Sequence, residues 1–249
     1  MKKFALIGSG ISHSLSPALF RAAYKESPFT YSLIDCNSID EALDHFFSGN
    51  FEGANVTSPF KEDIIKYCKF SDLSVNEIGA ANLILNHNGA LHCFNTDYMG
   101  VMDSVLSTGD KFDSAILIGA GGAAKAAAYA LKKLNIRFIT ANRTAESAQM
   151  IANQYNEEWI RLESIREILD SNKLIIYTID HLIPYLDGYD FSRHTIFEAN
   201  YKSPHFSEKI CKKYISGREW LVCQAVPSFR LFTNSEPDLK AMNLVKDNR

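Results

Sequence analysis

The chain has 249 residues, a formal net charge of −3 and 46% hydrophobic residues, enough for a real core in one large domain or two small ones. It has no long basic run and no apolar stretch approaching the roughly 18 uninterrupted residues of a membrane span, which excludes nucleic acid and membrane as expected partners and leaves small molecules. The five cysteines, Cys36, Cys68, Cys93, Cys211 and Cys223, are scattered and never form C-x-x-C. They suggest neither a disulfide framework nor a zinc site and, with no signal-peptide pattern after Met1, point to the cytoplasm.

A strand from Phe4 to Ile7 leads into Gly8-Ser9-Gly10, which imitates a dinucleotide loop, even to Asp35 after a second strand, Tyr31 to Ile34. His13 stands where the third small residue should be, so the imitation fails. Ser16 before Pro17 reads as the N-cap of an amphipathic helix, Ala18 to Lys25, whereas Ser14 has no such structural duty. A helix from Ile39 to Phe47 and a strand from Phe51 to Val56 continue an alternation that implies a parallel sheet flanked by helices. That strand runs into Thr57-Ser58-Pro59-Phe60-Lys61, and Ser58-Pro59 predicts a further helix through Phe70. Lys61 then lies in the first helical turn, where the dipole disfavours a cation. The placement suggests a proton donor or acceptor, against the commoner fate of a solvated surface lysine.

Ala81 to Leu85 and Ala90 to Phe94 read as strands about a turn at Asn86 to Gly89, and Asn95-Thr96-Asp97 opens a helix to about Leu106. Asp97 fits an N-cap. A strand end delivering three polar side chains is also where open α/β sheets bind ligands, and the two readings are compatible. Gly109-Asp110 marks a linker.

From Ser114 to Thr144 the chain reads as strand, glycine turn, alanine-rich helix and second strand. Gly119, Gly121 and Ala124 fit G-x-G-x-x-A, with Gly122 and Ala123 at the helix start. Gly119 suits the tight turn, Gly121 lets a pyrophosphate approach the backbone, and the helix N-terminus favours an anion. An NAD site places Asp or Glu at the end of the second strand. Here Asn142-Arg143-Thr144 stands there, and a guanidinium with two small polar side chains would accept a 2′-phosphate that a carboxylate would repel. The unit reads as an NADP site. Helices at Ala145 to Asn156 and Ser164 to Leu169, strands at Leu174 to Thr178 and Thr195 to Glu198, a helix from Pro204 to Tyr214, and an apolar run from Leu221 that starts a C-terminal helix complete the pattern.

Together, His13-Ser14-Leu15-Ser16-Pro17, the stretch from Gly53 to Lys61, Gly79-Ala80-Ala81-Asn82, Asn95-Thr96-Asp97, the glycine loop, Asn142-Arg143-Thr144 and Gln224-Ala225 resemble the shikimate dehydrogenase family in order and spacing across nearly the whole chain. The resemblance implies an α/β fold with an N-terminal α/β substrate domain at residues 1–103, completed by a C-terminal helix at 221–249. A Rossmann-like, doubly wound NADP-binding domain would occupy 104–220. It implies reversible reduction of 3-dehydroshikimate to shikimate, a step of aromatic amino-acid biosynthesis. It assigns Ser14, Ser16, Thr57, Asn82, Thr96, Tyr201 and Gln224 to the substrate, and Lys61 with Asp97 to the reacting centre. The chain departs from the family at Ser147, where a second basic residue often joins the phosphate clamp, and at Tyr177-Thr178-Ile179. It departs again at Ser216 to Trp220, where Glu219 and Trp220 replace residues that line the nicotinamide. A quinate or aminoshikimate dehydrogenase and a non-catalytic dinucleotide- or metabolite-binding homologue are the alternatives, and no feature of the sequence sets an oligomeric state.

Overall fold

Runs of β-branched and aromatic residues, separated by helix-forming stretches, build two six-stranded sheets. The computed structural model describes residues 1–24, 29–170 and 172–246. One unit comprises Met1–Thr96 with the chain from Gln224 onward, the other Asp97–Cys223.

The first unit begins with β1 (Lys2–Gly8), α1 (Ser16–Ala23), β2 (Phe29–Asp35), α2 (Ile39–Ser48) and β3 (Gly53–Val56). A 3₁₀ turn at Asp63–Tyr67 follows, then β4 (Cys68–Ser71), α3 (Leu73–Ile78), β5 (Leu83–His87) and β6 (Ala90–Phe94). The sheet order is β2-β1-β3-β5-β6-β4. β1 is parallel to β2 and β3, and β4 to β6, but β5 is antiparallel to both β3 and β6. The sheet is mixed and not wholly parallel, because Asn88 and Gly89, both at positive φ, reverse the chain between β5 and β6.

The second unit begins with α4 (Asp97–Ser107), β7 (Ser114–Ile118), α5 (Gly122–Lys133), β8 (Arg137–Asn142), α6 (Ala145–Tyr155) and β9 (Glu158–Arg161). After a 3₁₀ turn at Leu162–Ile168 come β10 (Leu174–Tyr177), a second at Pro184–Leu186, β11 (Phe191–Glu198) and β12 (Cys211–Ile215). α7 (Gly217–Thr233) starts here and ends in the first unit, which α8 (Leu239–Leu244) follows. All the ladders are parallel in the order β12-β11-β10-β7-β8-β9. Ile116 to Ile118 and Leu174 to Tyr177 are buried without alternation, as strands covered on both faces must be. The order reverses between β7 and β10, the crevice where such sheets take ligands.

An aromatic cluster closes the first unit. The Phe4 ring stacks on Phe232 at 4.5 Å and Phe20 on Tyr31 at 4.2 Å, with Phe29 edge-on to Phe229 at 6.1 Å. Burial of each such ring contributes about 1.5–3 kcal/mol, so the end of α7 is part of this core as much as β1 is.

Several segments differ from the sequence reading. The helix expected from Pro59 to Phe70 is a turn closed by the Phe60 N–H on the Thr57 carbonyl at 3.0 Å, then the short 3₁₀ turn, then β4. Pairing of β4 with β6 along the sheet edge takes residues that local propensity gave to a helix. Pro204 to Tyr214 likewise holds β12, paired with β11, instead of a helix. β9 and α3 were not anticipated, and α7 begins at Gly217, ahead of the apolar run. The helix expected to reach Lys25 ends at Ala23; Lys25 lies outside the described residues, as do the last three residues of the expected 221–249 helix. The units divide at Thr96/Asp97 and Cys223/Gln224, so α4 belongs entirely to the second, whereas the sequence reading placed the boundary after residue 103. Cys68 and Cys93 are brought together across β4 and β6, with Cα atoms 6.0 Å apart; scattering along the sequence hid a proximity that only sheet pairing creates.

Candidate active site

In the first unit, the strands end in a connected set of buried hydroxyls and amides. The Asn82 Nδ2 group donates to Thr96 Oγ1 at 2.9 Å and to Gln224 Oε1 at 3.0 Å, while its Oδ1 accepts the Thr96 N–H at 2.7 Å. Thr96 Oγ1 also meets Ser228 Oγ at 2.9 Å. Asn55, on β3, donates to Ser228 Oγ at 3.0 Å and accepts the Tyr31 hydroxyl at 2.8 Å. Burial raises the Tyr31 phenol well above its usual pKa, against a smaller opposing effect of a hydrogen bond with Ser16, so Tyr31 remains a neutral donor. A network satisfied in this way is rigid and presents side chains in fixed rotamers. It brings together Asn82, Thr96 and Gln224 among the expected substrate residues. Tyr31, Asn55 and Ser228 belong to it too and were not singled out. Ser228 lies one helical turn from Gln224, which was its available signal, and Asn55 is a polar residue in an otherwise apolar strand.

The cap expected of Ser16 is not made. Ser16 is the first residue of α1 and caps nothing; its N–H donates to Ser14 Oγ at 3.2 Å, so Ser14 has the structural duty. The segment is held by Asp35, whose carboxylate accepts the Gly10 and Ile11 N–H groups at 2.7 and 3.0 Å. The acid that imitated a ribose ligand is a loop clamp. Thr57, half-buried, follows β3 beside Gly8, where a Cβ would stand 2.5 Å from the Thr57 methyl, so only glycine lets the two strand ends close. Lys61 is half-buried in the turn that follows, its carbonyl accepting the Ala81 N–H at 2.8 Å. No α-helix begins there, so the dipole argument for Lys61 lapses. Its case now rests on this tether to the Asn82 segment.

In the second unit, β7 ends in Gly119 at φ +111, a conformation that L side chains rarely adopt. A Cβ there would also collide with Thr178 Oγ1, itself bonded to the Ile118 carbonyl at 2.8 Å. Gly121 caps α5 with open space around it. No side chain of residue 121 therefore screens the start of α5, where Gly122 and Ala123 carry the first N–H groups that a pyrophosphate would meet. Ala120, Gly121, Asn142, Ser147, Thr178 and Asp180 line one depression. Arg143 and Thr144 are exposed beside it, and the Asn142 amide donates to the Thr144 carbonyl at 3.1 Å. The Asp180 carboxylate is paired with His181 at 2.9 Å, which lowers its pKa. These groups fit a dinucleotide with a 2′-phosphate: a cradle at the switch point, a guanidinium, and no carboxylate at the end of β8. Asp97, buried at the first position of α4, and half-buried Tyr201, in the loop after β11, belong to this unit.

A family model for the shikimate dehydrogenase substrate-binding domain matches residues 6–84, and one for shikimate/quinate 5-dehydrogenase matches residues 106–195. An NADP-dependent shikimate dehydrogenase of Aquifex aeolicus is 30% identical over 99% of this chain and 97% of its own. The chain belongs to the shikimate dehydrogenase family. A shikimate dehydrogenase of Thermus thermophilus, crystallised with NADP(H) and shikimate, superposes with a TM-score of 0.84 at 26% identity, over 97% of both chains. A quinate dehydrogenase of Corynebacterium glutamicum, in complex with NAD, shares the fold at a TM-score of 0.84 and 23% identity, over 97% of this chain and 96% of its own.

Against the shikimate dehydrogenase pattern, the Arg218-Glu219-Trp220 departure has a structural account. Trp220 is 7% exposed, edge-on to Phe197 at 5.4 Å, and its indole N–H donates to the Asp97 carbonyl at 2.9 Å. It holds the start of α4 and offers no open ring face. Glu219 accepts the Ser107 hydroxyl at 3.0 Å, at the far end of α4 and roughly 15 Å along the helix from Asp97. Both side chains brace α4. Tyr177, the other substitution, is buried with its hydroxyl on the His181 carbonyl at 2.6 Å, and burial pushes its pKa up to about 12. Replacing Trp220 with phenylalanine keeps the ring but leaves the Asp97 carbonyl without this donor. We expect a loss of about 1–3 kcal/mol in unfolding free energy, measured by urea denaturation; an unchanged midpoint would show that the bond does not hold α4.

Proposed function

We propose that this chain is an NADP-dependent shikimate dehydrogenase that reversibly reduces the ring ketone of 3-dehydroshikimate to the alcohol of shikimate. The observation that carries the reading is a pair of complementary halves. One is a buried array of neutral amides and hydroxyls around Asn82, Thr96 and Gln224, suited to a polyhydroxylated ring. The other is a glycine cradle with an exposed guanidinium at Arg143 and no carboxylate at the strand end. NADPH, held by the glycine cradle and the 2′-phosphate residues, would supply the hydride that the carbonyl carbon takes up. Lys61 gives a proton to the oxygen as negative charge develops there, which is where a cationic donor lowers the barrier. Asp97 is the carboxylate assigned to the same reaction. Ser14, Ser16, Thr57, Asn82, Thr96, Tyr201 and Gln224 orient hydroxyls and carboxylate. Gly119, Gly121, Gly122 and Ala123 approach the pyrophosphate, and Asn142, Arg143 and Thr144 the 2′-phosphate. Residues 1–96 with the chain from Gln224 onward form the substrate domain and 97–223 the cofactor domain.

A cytoplasmic location goes with this reading. The charged dinucleotide does not cross membranes unaided, and no described helix is long and apolar enough to span one. The test is oxidation of NADPH in the presence of 3-dehydroshikimate, run beside quinate with NADP⁺ or NAD⁺. Turnover of quinate alone would reassign the ring substrate, and no turnover of either would sink the enzyme reading.

A further inference from the structure

β11 ends in a carboxylate that the mechanism does not use. Glu198 is 0% exposed, and burying a charge is costly unless it is fully hydrogen-bonded. Here it is. Oε1 accepts the His205 N–H at 2.7 Å, and Oε2 accepts the Phe206 N–H at 3.2 Å and the Tyr214 hydroxyl at 2.7 Å. The two backbone donors lie at the far end of the loop that leaves β11, so the carboxylate closes the loop on its own stem. Within it, the Asn200 side chain accepts the Lys202 and Ser203 N–H groups at 3.0 and 3.1 Å, and its amide donates to the Ser203 carbonyl at 3.0 Å. The loop base is fixed from the other side as well. The Ala199 N–H donates to the Tyr177 carbonyl at 2.8 Å, and Gly217 lies so close to the Glu198–Ala199 backbone that a Cβ would collide with it. Only one residue of this excursion, Tyr201, is assigned to the substrate. An apolar residue at 198 would pack without the desolvation cost but would leave two loop amides with no acceptor.

We propose that Glu198 is a positioning residue: its carboxylate fixes the loop from Ala199 to Phe206, and through it Tyr201, so that it sets the affinity for the ring substrate without touching it. The inference rests on the Tyr201 assignment made above. Charge-assisted bonds to backbone N–H groups are the strong kind, and Gln at the same position turns one acceptor into a donor that faces another donor.

Glu198→Gln should therefore raise KM for 3-dehydroshikimate roughly tenfold, with the NADP⁺ dissociation constant near native. It should also speed tryptic cleavage after Lys202, which is exposed in the loop. In a Tyr201→Phe background Glu198→Gln should raise KM no further, whereas a general loosening of the fold would act equally in both backgrounds. Glu198→Asp should recover part of the effect. Tyr214→Phe, which keeps both backbone donors paired, gives the same direction with smaller size should Glu198→Gln not fold. Native KM and native cleavage in Glu198→Gln would overturn the clamp alone. A native KM in Tyr201→Phe, beside a raised KM and faster cleavage in Glu198→Gln, would remove the Tyr201 assignment alone. An equal rise in both backgrounds would overturn the inference.

Discussion

Lys61→Ala is expected to lower kcat by about 10²–10⁴ while KM changes far less. The proton goes to an oxygen that carries full negative charge only late in hydride transfer, so the interaction is made chiefly in the transition state. Lys61 is tied to the Ala81-Asn82 segment through its own carbonyl, which fixes where its side chain starts relative to the Asn82 amide. Lys61→Arg separates proton donation from charge. A guanidinium keeps the cation but does not give up a proton near neutral pH, so Arg should keep substrate binding near native and leave kcat low. Steady-state kinetics of both variants decide the matter. Near-native kcat with a raised KM in Lys61→Ala would make Lys61 a binding residue.

The second large effect is on the cofactor. Arg143 is exposed beside the depression that holds Asn142 and Ser147, and a charge-assisted hydrogen bond to a phosphate is worth about 1.5–3 kcal/mol. Arg143→Ala should weaken NADP⁺ by roughly ten- to hundredfold and NAD⁺ hardly at all. Because the site is open to solvent and Ser147 stands in place of a second cation, the preference for NADP⁺ should also shrink as salt is raised. Fluorescence titration of both dinucleotides at low and high salt checks this. Equal losses for the two cofactors would remove Arg143 from the phosphate site.

What the sequence discloses and what it conceals divide along the range of the interactions. The β7–α5–β8 unit was legible because its signals are local: Gly119, the alanine-rich helix and Arg143 lie within one short stretch. The elements misread were those decided by distant partners. β4 and β12 become strands because β6 and β11 offer edges, and the proximity of Cys68 and Cys93 follows from the first of those pairings. The substrate residues show the same division. Asn82 and Thr96 were recognisable from motifs, but the bonds that orient them come from Gln224 and Ser228, far along the chain. Trp220 and Glu219 looked like damage to a cofactor pocket, and only their partners on α4 show them to be braces.

The first unit is assembled from both ends of the sequence, and that sets an order of events during synthesis. Phe4 and Asn55 emerge from the ribosome long before Phe232 and Ser228, with which they stack and bond. At about 5–20 residues per second, β1 waits roughly ten to forty-five seconds for its cover. Meanwhile the intervening unit, continuous from Asp97 to Cys223, can close on itself. A chain stopped after Cys223 should protect β7 from hydrogen exchange while β1 exchanges freely, and equal protection of both strands would refute this order. The nascent protein thus carries a finished cofactor half beside an open, aromatic-lined substrate half, the stage at which a holdase chaperone has most to bind.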